Sequence, residues 1–355
     1  MATIIQQPSA LEFSGMLPDI IFGSNADHSV VSVIITASGE TRTVFSETLF
    51  PTSGRITLEE MPDMVSPYAR QSLTLSLTVR IEEFNAAGQS VATLSTTPST
   101  VICGMADVGE PASVFCQSHF LTILNGTKLT SMGLEERLYA YGTAQVTVTG
   151  TYCQTDGSLD ERSATLTAAA TTSGVSAFFV SPSDMDILLG GTGTLVGYSV
   201  EAGERRQRFE VRELLTEPSP SLAFINSFGV TEFIHCVGTH QKDAKFTRST
   251  GRFHGKRRNY RIEEDRQFKA STGWLNEAMA DWADDLFRSL EVYLWVDGTT
   301  GREVVLSDSQ SVVSSDDADM PSYEFTYGYS QRNHNVMQRS HAGRIFDNTF
   351  DHTFN

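Results

Sequence analysis

The stretch SLTLSLTVRIEEF, residues 72–84, changes polarity at almost every step. Leu73, Leu75, Leu77, Val79 and Ile81 share one parity, and Ser72, Thr74, Ser76, Thr78, Arg80 and Glu82 share the other. Successive side chains of a strand point to opposite sides, so this is a strand with one dry and one wet face. SVVSVIITASGETRTVFSETLF reads as strand, Ser-Gly turn, strand, while FNAAGQS, QTDGSL and VEAGER mark further turns between β-rich runs. Short strands at a spacing of roughly 8–12 residues predict antiparallel, Ig-like sandwiches and not a parallel α/β sheet. A first sandwich is expected over 1–105 and a second over 106–216, with STTPSTV and TEPSPS as the seams.

The last third changes character. In LNEAMADWADDLFRSLEVYLWVDG, Asn276 can accept hydrogen bonds from the first free N–H groups of a helix, and Glu277 suits its positive end. Met279, Trp282, Leu286 and Leu290 form one apolar stripe, and Asp281, Asp284 and Asp285 fall away from it. Alternation returns from Glu291, and DGTTG turns the chain into REVVLSD. Residues 217–330 therefore read as a small α+β module with one helix on an antiparallel sheet, followed by a tether and an extended arm over 331–355. The fold class is mainly β, with tandem sandwiches preceding that module.

Hydrophobic residues make up 40% of the 355 positions and charged residues 19%, enough apolar material for real cores and too little charge for a disordered chain. The net charge of −17 opposes nucleic acid and anionic membranes. It is unevenly spread: residues 241–270 hold ten Lys/Arg and four Asp/Glu, leaving 16 basic and 39 acidic residues elsewhere. The opening MATIIQQPSALEFSGMLPDIIF has no secretory signal pattern, and no apolar run is long enough to cross a bilayer. Cys103, Cys116, Cys153 and Cys236 have no C-x-x-C spacing and read as free thiols of a reducing compartment. The Asn125-Gly126-Thr127 sequon reads as chance without a secretion signal.

Catalytic, metal and cofactor motifs are weak. FIHCVGTH places His235, Cys236 and His240 together, with His254 beyond, but neighbours on a strand face opposite ways and no zinc spacing is matched. LLGGTGTLVGYSV lacks the following helix that a phosphate-binding loop needs. DDADMPS lacks the ligand spacing of a calcium loop and reads as a solvated acidic turn. No catalytic residue, cofactor or metal ligand is assigned. A glycan or cell-wall hydrolase would require two convergent carboxylates, which spacing alone does not reveal.

Three stretches carry binding potential. KFTRSTGRFHGKRRNYR supplies Arg252, Lys256, Arg257, Arg258 and Arg261 among aromatic residues. Such a stretch can hold single-stranded nucleic acid, but the overall charge favours an acidic neighbour, including another copy. YEFTYGY sets Tyr323, Phe325, Tyr327 and Tyr329 on one strand face, either as core cover or, if exposed, as a platform for sugar rings. The closing GRIFDNTFDHTFN repeats Phe346, Phe350 and Phe354 every four residues. On a helix that spacing drifts by about 40° per repeat, whereas on a strand all three rings share a side. An extended, one-sided arm is expected, docking on its own body or on a partner.

The opening segment, LAFINSFGVTEFIHCVGT, GWLNEAMADWADDLFRSLEVYLW and the closing segment together resemble prophage-encoded, tail-region or virion-associated proteins of gut Bacteroidetes. The resemblance implies a non-enzymatic structural role in a phage tail or baseplate-like particle. The expected partners are copies of the chain and other phage structural proteins. It also implies synthesis in the bacterial cytoplasm, without a signal peptide, and incorporation into a virion. The resemblance transfers no active-site residues. The alternatives are a carbohydrate-binding module or adhesin using Tyr323, Phe325, Tyr327 and Tyr329, and a hydrolase.

Overall fold

Residues 2–106, 109–142, 145–214, 219–253, 255–312 and 320–331 are described by a computed structural model. The first part of the chain runs β1 (Thr3–Gln6), β2 (Leu11–Phe13), β3 (Ile20–Gly23), β4 (His28–Ala37), β5 (Glu40–Leu49), β6 (Arg55–Leu58), α1 (Met61–Ser72), β7 (Thr74–Phe84), β8 (Ser90–Ser95) and β9 (Ser99–Ile102). One sheet has the order β1-β3-β6; the other is β2-β9-β7-β4-β5, with β8 also pairing β7. Their inner faces share a core that includes Ile20, Phe22, Val31, Val33, Ile56, Leu77, Val79 and Ile81, closed by Met61, Val65 and Ala69 of α1. The alternation of residues 72–84 is therefore the core signal of a sandwich. Leu73 departs from it, because it ends α1 at φ 64° and the strand begins one residue later. Ser38 and Gly39, at φ 51° and 83°, form the tight turn expected between β4 and β5.

The chain continues through α2 (Ala112–Ser118), β10 (Thr127–Thr130), β11 (Arg137–Tyr141), β12 (Val146–Cys153), β13 (Leu159–Leu166), β14 (Ala170–Thr172), β15 (Val175–Phe179), α3 (Pro182–Leu189), β16 (Thr194–Ala202) and β17 (Arg205–Val211). Sheets β10-β17-β16-β12-β13 and β11-β15-β14 enclose Leu138, Val146, Val148, Tyr152, Phe178, Tyr198 and Val200. All pairs so far are antiparallel except β2–β9 and β10–β17. The three helices α1 to α3 were not expected from the sequence. A third cluster stacks Phe115 on Phe228 and sets Phe13 edge-on to Phe115, joining β2, α2 and the later segment around residue 228.

The remaining elements are β18 (Ser221–Ile225), β19 (Thr231–His235), β20 (His240–Phe253), β21 (Lys256–Ser271), α4 (Glu277–Arg288), β22 (Val292–Val296), β23 (Thr299–Val312) and β24 (Ser322–Tyr329). The strands form one sheet in the order β19-β18-β22-β23-β24-β21-β20. By their contacts, residues 1–214, 224–233 and 277–290 form one unit, and residues 215–223, 234–276 and 291 onward form another. Helix α4 thus counts with the first unit. It starts directly after Asn276 and buries Met279, Trp282 and Leu286 as the stripe predicts. Two expectations fail there: Leu290 lies past the helix end and is exposed, and Asp285 is buried.

Candidate functional site

The ribbon β20–β21 is the most unusual feature of the second unit. Gln241 to Phe253 pair one by one with Lys269 back to Lys256, apart from an extra residue, Tyr260, accommodated between Ser249 and Thr250. Phe253 pairs with Lys256, so the chain reverses across two positions, and Gly255 at φ 75° supplies the left-handed conformation. On its other side β21 pairs with β24 only from Gln267 to Ser271. Beyond Gln267 its sole partner among the described residues is β20, itself an edge strand. At about 3.3 Å per residue, the eleven positions from 256 to 266 carry the turn roughly 35 Å beyond the sheet.

None of the described side chains between 241 and 262 is buried on either face. Phe246, Tyr260 and Ile262 are 44%, 40% and 46% exposed. A bare two-stranded ribbon is marginal in water, because neither face excludes solvent. Charge adds to this. Residues 245–261 contain seven basic residues and no acidic one. Arg252 sits directly opposite Arg257, a cross-strand like-charge pair that costs stability. Arg257 donates Nε–H to Thr250 Oγ1 at 3.0 Å, and Arg248 lies 5.4 Å over the Phe246 ring. Arg252, Lys256, Arg257 and Arg258 make no ion pair among the described residues. The acids of the ribbon, Asp243, Glu263, Glu264 and Asp265, lie toward its root. The basic residues read from sequence are therefore brought together at the end of a ribbon, with Arg261 on the same stretch.

The root is an aromatic stack. His240, Phe268 and Tyr327 lie nearly parallel, with centroids 5.0–6.1 Å apart, and His240 Nε2 is 3.0 Å from the Tyr327 hydroxyl. Burial raises the Tyr327 phenol above its ordinary range. Tyr323, Phe325 and Tyr327 are all buried, so the exposed sugar platform expected as one alternative is absent on that face. The alternation that suggested a platform is the signature of a core-facing strand. Tyr329 is half-buried, with Arg302 4.8 Å over its ring. Phe346, Phe350 and Phe354 lie outside the described residues, as does His254.

His235 Nδ1 is 3.0 Å from Ser221 Oγ, and burial pushes the Cys236 thiol up to about 12. Among the described residues no group of three His, Cys, Asp or Glu side chains could hold a metal ion. Gly190, Gly191 and Gly193 follow α3 instead of preceding a helix, so no helix N-terminus faces them. No helix among the described residues is long and apolar enough to cross a membrane.

A polar cluster in the first unit escaped the sequence reading. Lys128 Nζ donates to Glu136 Oε2 at 2.6 Å and to the Phe233 carbonyl at 2.7 Å, and lies 4.5 Å over the Trp282 ring. Trp282 Nε1 donates to Glu232 Oε2 at 3.0 Å, which also accepts from Asn226 Nδ2 at 3.1 Å. Burial raises both carboxyl groups, against the pull of Lys128, and repulsion by Glu232 adds to the rise at Glu136. Nearby, Asp285 accepts from the Ser227 backbone N–H at 3.1 Å and from its hydroxyl. Asn226 Oδ1 accepts from the N–H groups of Phe228 and Val230. These bonds fasten α4 to the 224–233 turn. Two carboxylates, Glu136 and Glu232, both feel Lys128 here, and they are enclosed at 1% and 6% exposure. Their chemistry is that of a structural lock.

No protein-family model matches the chain, and no curated protein matches it.

Proposed function

We propose that this chain is a non-enzymatic structural protein of a phage or prophage tail, or of a baseplate-like particle, that assembles by self-association. One observation carries the reading: a cationic ribbon, exposed on both faces, extends from a protein that is strongly acidic elsewhere. Such a ribbon has no use within its own unit and gains stability when a neighbour covers it. The likeness to virion-associated proteins supports the same role. Two of its sequence blocks, around 222–239 and 273–295, hold the residues of the α4 lock. Assembly takes place in the bacterial cytoplasm, and the closing phenylalanines, Phe346, Phe350 and Phe354, supply a second docking element.

The test is solution mass by light scattering, with electron microscopy of the same samples. The full chain is expected to form ordered oligomers at low salt. A version with 245–261 replaced by a short glycine turn and a version ending at Gly343 should each lose mass. A full chain that stays monomeric at every concentration and salt level would overturn the assembly role.

A further inference from the structure

The ribbon needs a receptor, and the second unit contains a surface of matching chemistry. Gln241, Lys269, Thr326 and Asp308 stand in register across four strands at the ribbon's root. With Thr239 and Glu324 they line a concavity of about 420 Å³. Ala270 and Phe325 also line it and are buried, while Gln241, Lys269, Asp308 and Glu324 are exposed. Lys269 makes no ion pair there among the described residues, so Asp308 and Glu324 leave the concavity net negative.

We propose that the tip of the ribbon, through Arg252 and Arg257, which stand opposite each other on one face, seats in the Asp308–Glu324 concavity of a second copy. This rests on the assembly reading above and names its contact. The geometry rules out the same copy as partner: the concavity is at the root of the ribbon, and the tip is roughly 35 Å away along a paired, extended structure. Two different patches of one chain then meet, which is a head-to-tail contact that builds rings or filaments and not an isologous dimer. A planar, forked guanidinium suits a carboxylate pair better than a lysine would, and the turn at Gly255 presents both arginines at the end of the ribbon. Seating also relieves the Arg252–Arg257 repulsion by bringing anions to a tip that has none of its own.

The experiment is a charge swap read by light scattering at about 50 mM salt, where the screening length exceeds 10 Å. Arg252→Glu/Arg257→Glu reverses the tip, and Asp308→Lys/Glu324→Lys reverses the concavity. All four positions are exposed, so far-UV circular dichroism and the melting temperature should not change. Each double variant alone should associate about 100-fold more weakly than the wild type. A one-to-one mixture of the two should regain association, because each reversed patch then meets its complement. A wild type that associates while both variants associate equally well overturns this contact and leaves the structural role standing. Variants that fail alone and also fail when mixed overturn it too. A wild type that never associates overturns both.

Discussion

Replacing Lys128 by methionine removes the cation that Glu136 and Glu232 share while keeping most of its volume. Glu136 and Glu232 then stay buried without the charge of Lys128, and the Phe233 carbonyl loses the Lys128 donor. Breaking a buried pair by removing one partner costs about 3–5 kcal/mol, because the surviving charge is left uncompensated. The site is 5% exposed at Lys128 and 1% at Glu136, so solvent offers little relief. Urea unfolding followed by circular dichroism should therefore show a large drop in midpoint with no change in slope. The pH dependence sharpens the test. Both carboxyl groups are raised in the folded chain, so their contribution is greatest below the unfolded value of 4.5 and is lost as pH rises through the folded values. Without Lys128 those folded values rise further, so the penalty should be small near about pH 5 and large near about pH 8. Adding Glu136→Gln to Lys128→Met removes one enclosed charge and should recover much of the loss near about pH 8. A Lys128→Met protein within about 1 kcal/mol of wild type at both pH values would refute the cluster as a charged lock.

Asp285→Ala leaves the Ser227 N–H and hydroxyl without their acceptor, and should destabilise the first unit by about 1–3 kcal/mol in the same urea assay. Gly191→Ala places a methyl group 2.3 Å from the Tyr152 ring, and the overpacking should lower stability by about 1–3 kcal/mol. Exchanging the whole 245–261 tip for a glycine turn should leave the melting temperature unchanged, since no described side chain between those positions is buried.

Much of the sandwich architecture was legible because one buried face per strand writes itself into the sequence with period two. Leu75, Leu77, Val79 and Ile81 are the clearest case, and the Ser38-Gly39 turn is another. Helix α1 carries Pro62 and Pro67, residues that normally interrupt a helix. Pro62 sits in the first turn, where its missing N–H costs nothing, and Met61, Val65 and Ala69 bury one face. Asp285 was assigned to solvent because charge normally implies exposure, yet Ser227, distant in sequence, supplies its donors. The Lys128–Glu136–Glu232 cluster was illegible for the same reason: Glu232 is 50 residues from Trp282 and about a hundred from Lys128 and Glu136, and no local pattern marks it. The basic stretch was visible as composition. Its form as a projecting ribbon was not, because a strand wet on both faces has no apolar alternation to read.

Hydrogen–deuterium exchange of the backbone amides between 243 and 264 tests the central claim most directly. It should be run on dilute protein at about 500 mM salt and on concentrated protein at about 50 mM salt. Fast exchange in the first sample and strong protection in the second is the predicted result. Equal exchange in both samples, while light scattering reports assembly in the second, would mean that no neighbouring copy covers the ribbon.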